Sequence, residues 1–131
     1  VNPDEIAPYI VTMQEAHSRA LCEVLYEAGV HHVEDTQHPT LVVLWNNRDD
    51  SPGKWPLVKA DRPIGEWNQL RIRMVGERVW VWLNGQQTVD GQTLDNYFHR
   101  GQPLRATGAL ELQTHGTEVR FRHLYIRELD R

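Results

Sequence analysis

The stretch GEWNQLRIRMVGERVWVWLNG, Gly65 to Gly85, decides how this chain folds. Gly76-Glu77, with glycine first, suits a two-residue type II′ hairpin, which needs a positive φ at its first central position. Counting outward from that turn sets every pair. Val75 faces Arg78, Met74 faces Val79, Ile72 faces Val81 and Leu70 faces Leu83. The last three pairs make one apolar face. On the other face Arg73 lies across from Trp80 and Arg71 across from Trp82, with Gln69 further along. A soluble sheet ordinarily hides one face, so large rings on the second call for a covering layer, a stacking partner or a ligand. Exposed Arg-Trp stacks supply about 0.5–1 kcal/mol each. A flat ring flanked by donors also suits a sugar, whose C–H groups lie on the ring while its hydroxyls meet Arg and Gln. Both readings stay open from these residues.

Asn84-Gly85 is a second hairpin signal, because both residues tolerate positive φ. A three-residue loop with Gly85 third would set Val89 opposite Val79 and complete the apolar face. A two-residue loop would set it opposite Trp80, and the longer loop is therefore expected, with Asn84 and Gly85 as turn formers. Residues 90–108, DGQTLDNYFHRGQPLRATG, read as one long polar loop. Beyond it Leu110 and Leu112 alternate with Glu111 and Gln113, and His115-Gly116 reads as a turn. In the last strand Val119 and Phe121 point one way while Leu124 and Ile126 fall on the opposite parity. A one-residue bulge near Arg122 or His123 reconciles them, since a bulge resets the inside-outside count.

The N-terminal part carries a different period. Met13, Ala16, Ala20, Leu21, Val24, Leu25 and Ala28 recur at three-and-four spacing, Thr12 and Glu15 form a T-x-x-E capping box, and Gly29 stands at a C-cap position. The spacing predicts a helix over 12–28 ahead of a β-rich portion over 41–131, within a single domain of 131 residues. A net charge of −4 argues against a protein that grips nucleic acid, which needs clustered Lys and Arg. The one cysteine, Cys22, cannot form an internal disulfide and reads as a small packing residue. No apolar run is long enough to span a bilayer, and VNPDEIAPYI lacks a basic segment followed by an apolar one, so no membrane partner is expected. A leader already removed would leave no trace. HHVEDTQHPT offers His31, His32, Glu34, Asp35 and His38, but their spacing matches no zinc pattern and they read as a solvated loop. Neither a metal nor a cofactor is expected.

Four segments in order, Gly65–Asn68 (GEWN), Trp82–Gly85 (WLNG), Leu112–Gly116 (LQTHG) and Phe121–Arg122, give the chain a resemblance to a known family. They resemble the C-terminal half of the 3-keto-disaccharide hydrolase family, a former domain of unknown function. The resemblance implies a mainly β fold, an antiparallel concanavalin-like jelly-roll sandwich whose concave face receives carbohydrate. It also implies a periplasmic or secreted location. The chain is shorter than a complete family domain, so the roll is expected to be incomplete, with its open edge covered by the N-terminal helix or a second copy completing a homo-oligomer. The family's Tyr-Glu-x-Gln-x-x-Asp stretch is matched here by CEVLYEAG, in which Glu23 takes the glutamate position while Leu25 and Ala28 replace the glutamine and aspartate. Val81 stands where the family often has histidine.

The chemistry so implied is cleavage of glycosides oxidised at C3. The ketone acidifies the C2 proton, a base removes it, the enolate expels the C1 substituent, and water adds back. His115 is the implied acid or base, with Glu23 as second catalytic candidate. Trp82 and Trp80 would form the platform, with Arg71, Arg73, Gln113 and Arg122 holding sugar oxygens or the enolate. Arg120 and Glu111 read as a solvated cross-strand pair. A non-catalytic sugar-binding or interaction module of the same fold is the alternative.

Overall fold

The computed structural model describes residues 11–12, 21–30, 44, 47–104, 111–112 and 119–129. Seven strands follow in chain order: β1 (Val11–Thr12), β2 (Leu21–Val30), β3 (Trp67–Val75), β4 (Arg78–Leu83), β5 (Gln86–Thr93), β6 (Glu111–Leu112) and β7 (Val119–Leu129). They build a five-stranded sheet in the order β5-β4-β3-β2-β7 and a two-stranded sheet β1-β6. Every pairing is antiparallel. The fold is mainly β with the layout of a jelly-roll-like sandwich, in which an N-terminal strand is inserted between β3 and the last strand. Among the described residues no helix is long and apolar enough to cross a membrane.

The helix expected over 12–28 is corrected where the structure describes it. Thr12 lies in β1, residues 13–20 with Glu15 lie outside the described residues, and 21–30 are strand. The physical reason is a second period in the same letters. Cys22, Val24, Tyr26 and Ala28 all point into the core at 1% exposure, while Glu23, Leu25 and Glu27 take the opposite face. A helix would have wrapped the two glutamates around the same cylinder as the apolar residues. A strand separates them completely, and its backbone is hydrogen-bonded on both sides, to β3 and to β7. Gly29, expected as a C-cap, sits within β2 under Trp67, and a Cβ there would lie 3.4 Å from the indole. Cys22 is buried as expected, and burial pushes its thiol up.

The β3-β4 hairpin has the expected register at every pair, from Val75↔Arg78 to Leu70↔Leu83. Gly76 has φ 59, as a glycine-first turn requires. The next turn corrects the expectation. Asn84 (φ 52) and Gly85 (φ 82) form a two-residue turn closed by Leu83↔Gln86, not a three-residue loop. A bulge then shifts the register between Val81 and Trp82, so Val89 meets Val81, neither Val79 nor Trp80. Thr88 and Val89 are both buried, and Thr88 Oγ1 donates to the Val81 carbonyl at 3.2 Å. The bulge does what the longer loop was expected to do, which is to return Val89 to the core. The polar loop expected over 90–108 begins later, because β5 runs on to Thr93. In β7 the expected bulge is present: the register slips between Leu25 and Glu27, and His123 has φ 53. It does not bury Leu124 and Ile126, which stay 42% and 52% exposed on the edge strand.

Asn68 and Asn84, one from each of the first two family-like segments, meet in the structure. Asn84 Nδ2 donates to Asn68 Oδ1 at 2.9 Å and to the Ala60 carbonyl at 2.8 Å, and Asn84 Oδ1 accepts from the Gln69 amide at 2.9 Å. Asn68 Oδ1 also accepts from the Arg62 amide at 2.9 Å. The two side chains lock the end of the β3-β4 hairpin to the incoming loop. Asn68 is 2% exposed, so Asn68→Ala takes the shared acceptor from two part-buried donors and should cost about 1–2 kcal/mol. Urea unfolding measures it, and a loss under about 0.5 kcal/mol would contradict this role.

Candidate functional site

Directly opposed residues of antiparallel strands share a face, so the registers lay out the outward face of the sheet in rows. The first row reads Arg127, Glu23, Arg73, Trp80 across β7, β2, β3 and β4. The second reads Tyr125, Leu25, Arg71, Trp82, with Gln87 beyond on β5. The third reads Arg122, Glu27, Gln69. The sequence places Arg71, Arg73, Trp80 and Trp82 on this face, and the structure adds Glu23, Glu27, Arg127 and His123 to it.

Glu23 is the electrostatic centre of the first two rows. It is only 8% exposed, and its carboxylate accepts from Arg71 at 3.0 Å, Arg73 at 3.3 Å and Arg127 at 3.0 Å. Burial pushes this carboxyl up, but the hydrogen bonds and charges of Arg71 and Arg127 outweigh it and hold the group below the usual glutamate value. Three guanidiniums around one carboxylate leave the cluster with a net positive charge of two. Arg71 and Arg73 lie 4.8 Å and 5.8 Å from the Trp82 ring centroid, so both lean over the same indole. Trp80 takes a different partner from the one across the pair: Arg78 lies 5.4 Å from its ring. Gly91 leaves room for that stack, since a Cβ there would fall 3.1 Å from the Trp80 ring and 2.8 Å from the Arg78 guanidinium.

A second group occupies the third row. Arg122 Nε donates to Glu27 at 2.5 Å while its guanidinium carbon lies over Trp67, 3.8 Å from the centroid. His123 Nδ1 stands 3.4 Å from the same Glu27 oxygen. The Arg122 hydrogen bond and charge, against desolvation, hold the Glu27 carboxyl below its usual value, and His123 adds to this when protonated. Leu25, Tyr26, Glu27, Gln69, His123 and Tyr125 line a half-open depression of about 210 Å³. By strand spacing of about 4.8 Å and a rise of about 3.4 Å per residue, the Trp82 and His123 backbone positions stand roughly 15 Å apart, a span that the indole and imidazole side chains shorten from either end.

His115 and Gln113 lie outside the described residues, as do His31, His32, Glu34, Asp35 and His38. Arg120 sits opposite Gly29 in one sheet and Glu111 opposite Thr12 in the other, so they are not a cross-strand pair. The sequence marks His123 only as a bulge position and assigns no site role to Glu27 or Arg127. Period-two reading of CEVLYEAG would have found Glu27 beside Glu23, and the bulge signal already pointed to His123.

The chain matches the model of the 3-keto-α-glucoside-1,2-lyase-like domain over residues 12–127, well beyond the C-terminal half suggested by its motifs. No curated protein matches it significantly. Among solved structures it is similar to a candidate glycosyl hydrolase from Parabacteroides distasonis ATCC 8503, with a TM-score of 0.58 and 21% identity over 91% of this chain and 67% of that one. A second structure, also of a candidate glycosyl hydrolase from that organism, gives a TM-score of 0.54 and 18% identity over 92% of this chain and 76% of that one. At these identities the likeness speaks for the fold.

The depressed carboxyls make a pH prediction. Both Glu23 and Glu27 titrate lower in the fold than in the unfolded chain, so they stabilise the fold above the ordinary glutamate value of 4.5. That contribution is lost as pH falls below it, through the lowered folded values. Thermal melts should therefore show a melting temperature flat near neutrality and falling below about pH 4.5, with a shallower fall in Glu23→Gln/Glu27→Gln. An acid limb as steep in the double variant as in the wild type would refute it.

Proposed function

Because the chain belongs to the 3-keto-α-glucoside-1,2-lyase-like family, we propose that it cleaves 3-keto-glycosides on the outward face of its five-stranded sheet, by C2 proton abstraction, elimination and hydration. The observation that carries this reading is the arginine pair over Trp82. An enolate puts negative charge on the C3 oxygen in the transition state, and fixed cationic donors lower that barrier more than mobile water does. Arg71 and Arg73 are about 40% exposed at their side chains, open to solvent yet anchored from behind by Glu23. Trp82 gives the C–H face of the sugar an apolar floor between them.

Removal of the C2 proton forms C2=C3 and moves the carbonyl π pair onto oxygen. Collapse of that enolate restores the ketone, forms C1=C2 and breaks the C1–O bond, and the departing alkoxide takes a proton. Water then adds its hydroxyl to C1 and its proton to C2. In this scheme Glu23 is not the base: a carboxylate shared among three guanidiniums is stabilised as the anion and accepts protons poorly. Its part is to fix the arginines. His115 stays the acid or base implied by the family motif, with Gln113 and Arg122 as sugar contacts. Trp80, already stacked with Arg78, would extend the platform.

A second reading, a sugar-binding module without catalysis, is favoured by Leu25 and Ala28 standing at two acidic-stretch positions. Incubating purified protein with 3-keto-trehalose separates the two. The proposal expects release of glucose and 3-keto-glucose, and Trp82→Ala should raise KM by about tenfold, near 1.4 kcal/mol. Binding without product, even at high enzyme concentration, would establish the binding module instead.

A further inference from the structure

Elimination from a 3-keto-glycoside moves protons at two places, C2 and the leaving oxygen, and the family motif supplies one histidine for them. We propose that His123, held by Glu27 in the depression beside Gln69 and Tyr125, is a second proton-transfer residue of this site, acting on a 3-keto-pyranoside. The inference rests on the reaction proposed above.

Three independent features converge on this side chain. The first is backbone: His123 is one of two non-glycine residues at positive φ among the described residues, and it sits at the register slip of β7. Without that slip the parity of β7 would turn position 123 to the core side, beside Val119 and Phe121. With it, the imidazole stands on the outward face, lining the depression. The second is orientation. His123 Nδ1 faces Glu27 Oε2 at 3.4 Å, at the loose end of hydrogen-bond reach, as acid-base pairs often are before substrate binds. A proton held on Nδ1 makes Nε2 the basic nitrogen. The third is rigidity in the partner. Glu27 has a second anchor: Arg122 bonds it at 2.5 Å and itself stands 3.8 Å from the Trp67 ring centroid.

Among the described residues the charged groups around His123 are few. Glu27 comes from β2 and Arg122 from its own strand; β3 presents the neutral Gln69. Arg71 lies one row away and the Glu23-Arg127 pair two rows away. In the proposed step Nε2 takes the C2 proton, the C–H pair becomes C2=C3, and the charge that arrives on the C3 oxygen falls to Arg71, one row away, with Arg73 beside it, as in the reaction proposed above. The imidazolium returns that proton to the leaving alkoxide or, after hydration, to C2. Glu27 gains a fully charged partner at the moment the imidazolium forms, which stabilises that state.

The variants that test this keep the bulge. His123→Asn and His123→Gly both suit positive φ, so each should fold with near-native circular dichroism and melting temperature. With 3-keto-trehalose the expected result is a fall in kcat of about 10²- to 10⁴-fold with KM within about threefold. Added imidazole should restore His123→Gly by about tenfold or more, and Glu27→Gln should lower kcat while keeping His123 in place. Folded variants with kcat within about fivefold of wild type, or a deficit that imidazole leaves untouched, would overturn the assignment while leaving the function standing. An inactive wild type would remove both.

Discussion

A single strand, β2, holds the molecule together. It is inserted between β3 and β7, so its backbone is paired along both edges, and its core-facing and charged side chains alternate between the two faces. Cys22, Val24, Tyr26 and Ala28 enter the core, where Tyr26 packs against Phe121 with ring centroids 5.8 Å apart. Glu23 and Glu27 go the other way and meet arginines from both neighbouring strands. Glu23 therefore ties β2 to both flanks on the outward face and Glu27 ties it to β7, while the apolar residues bind it on the inward face. Slipping β2 by one residue would send both glutamates into the core, at a cost no register could absorb.

That constraint also produces the site. Glu23 gathers Arg71, Arg73 and Arg127, and their excess charge sits over Trp82. Glu27 gathers Arg122 and His123, and the bulge that brings His123 out is the same irregularity that lets β7 pass Tyr26. Two acid-centred clusters, four residues apart on one strand, thus mark the two ends of a surface long enough for more than one sugar ring. The chemistry proposed for them divides accordingly, with a cationic, aromatic floor at one end and an acid-base pair at the other.

How far the sequence reveals this varies by element, for physical reasons. The β3-β4 hairpin is legible to the residue because a glycine-first turn leaves one possible pairing, and the alternation on either side agrees with it. The bulge in β7 is legible as a conflict of parity. β2 is not, because Leu21, Val24, Leu25 and Ala28 satisfy a helical period while Cys22, Val24, Tyr26 and Ala28 satisfy a strand period, and only its two partners, distant in sequence, decide between them. The turn after β4 is one residue shorter than its sequence suggests, because a bulge at Thr88 and a longer loop return Val89 to the core equally well. The family-like motifs also divide by role once seen in space. Asn68 and Asn84 are scaffold, bonded to each other, whereas Trp67 and Trp82 each carry an arginine.

The central claim is that guanidiniums anchored by β2 present an indole to a ketosugar. Nitrogen-15 NMR of the labelled protein titrated with 3-keto-trehalose reads it directly, through the Trp82 indole and the Arg71 and Arg73 Nε–H signals. These should shift in a saturable manner, with the indole of Trp55, outside these rows, left in place. A titration that moves Trp55, or no side chain of this face, would contradict the account.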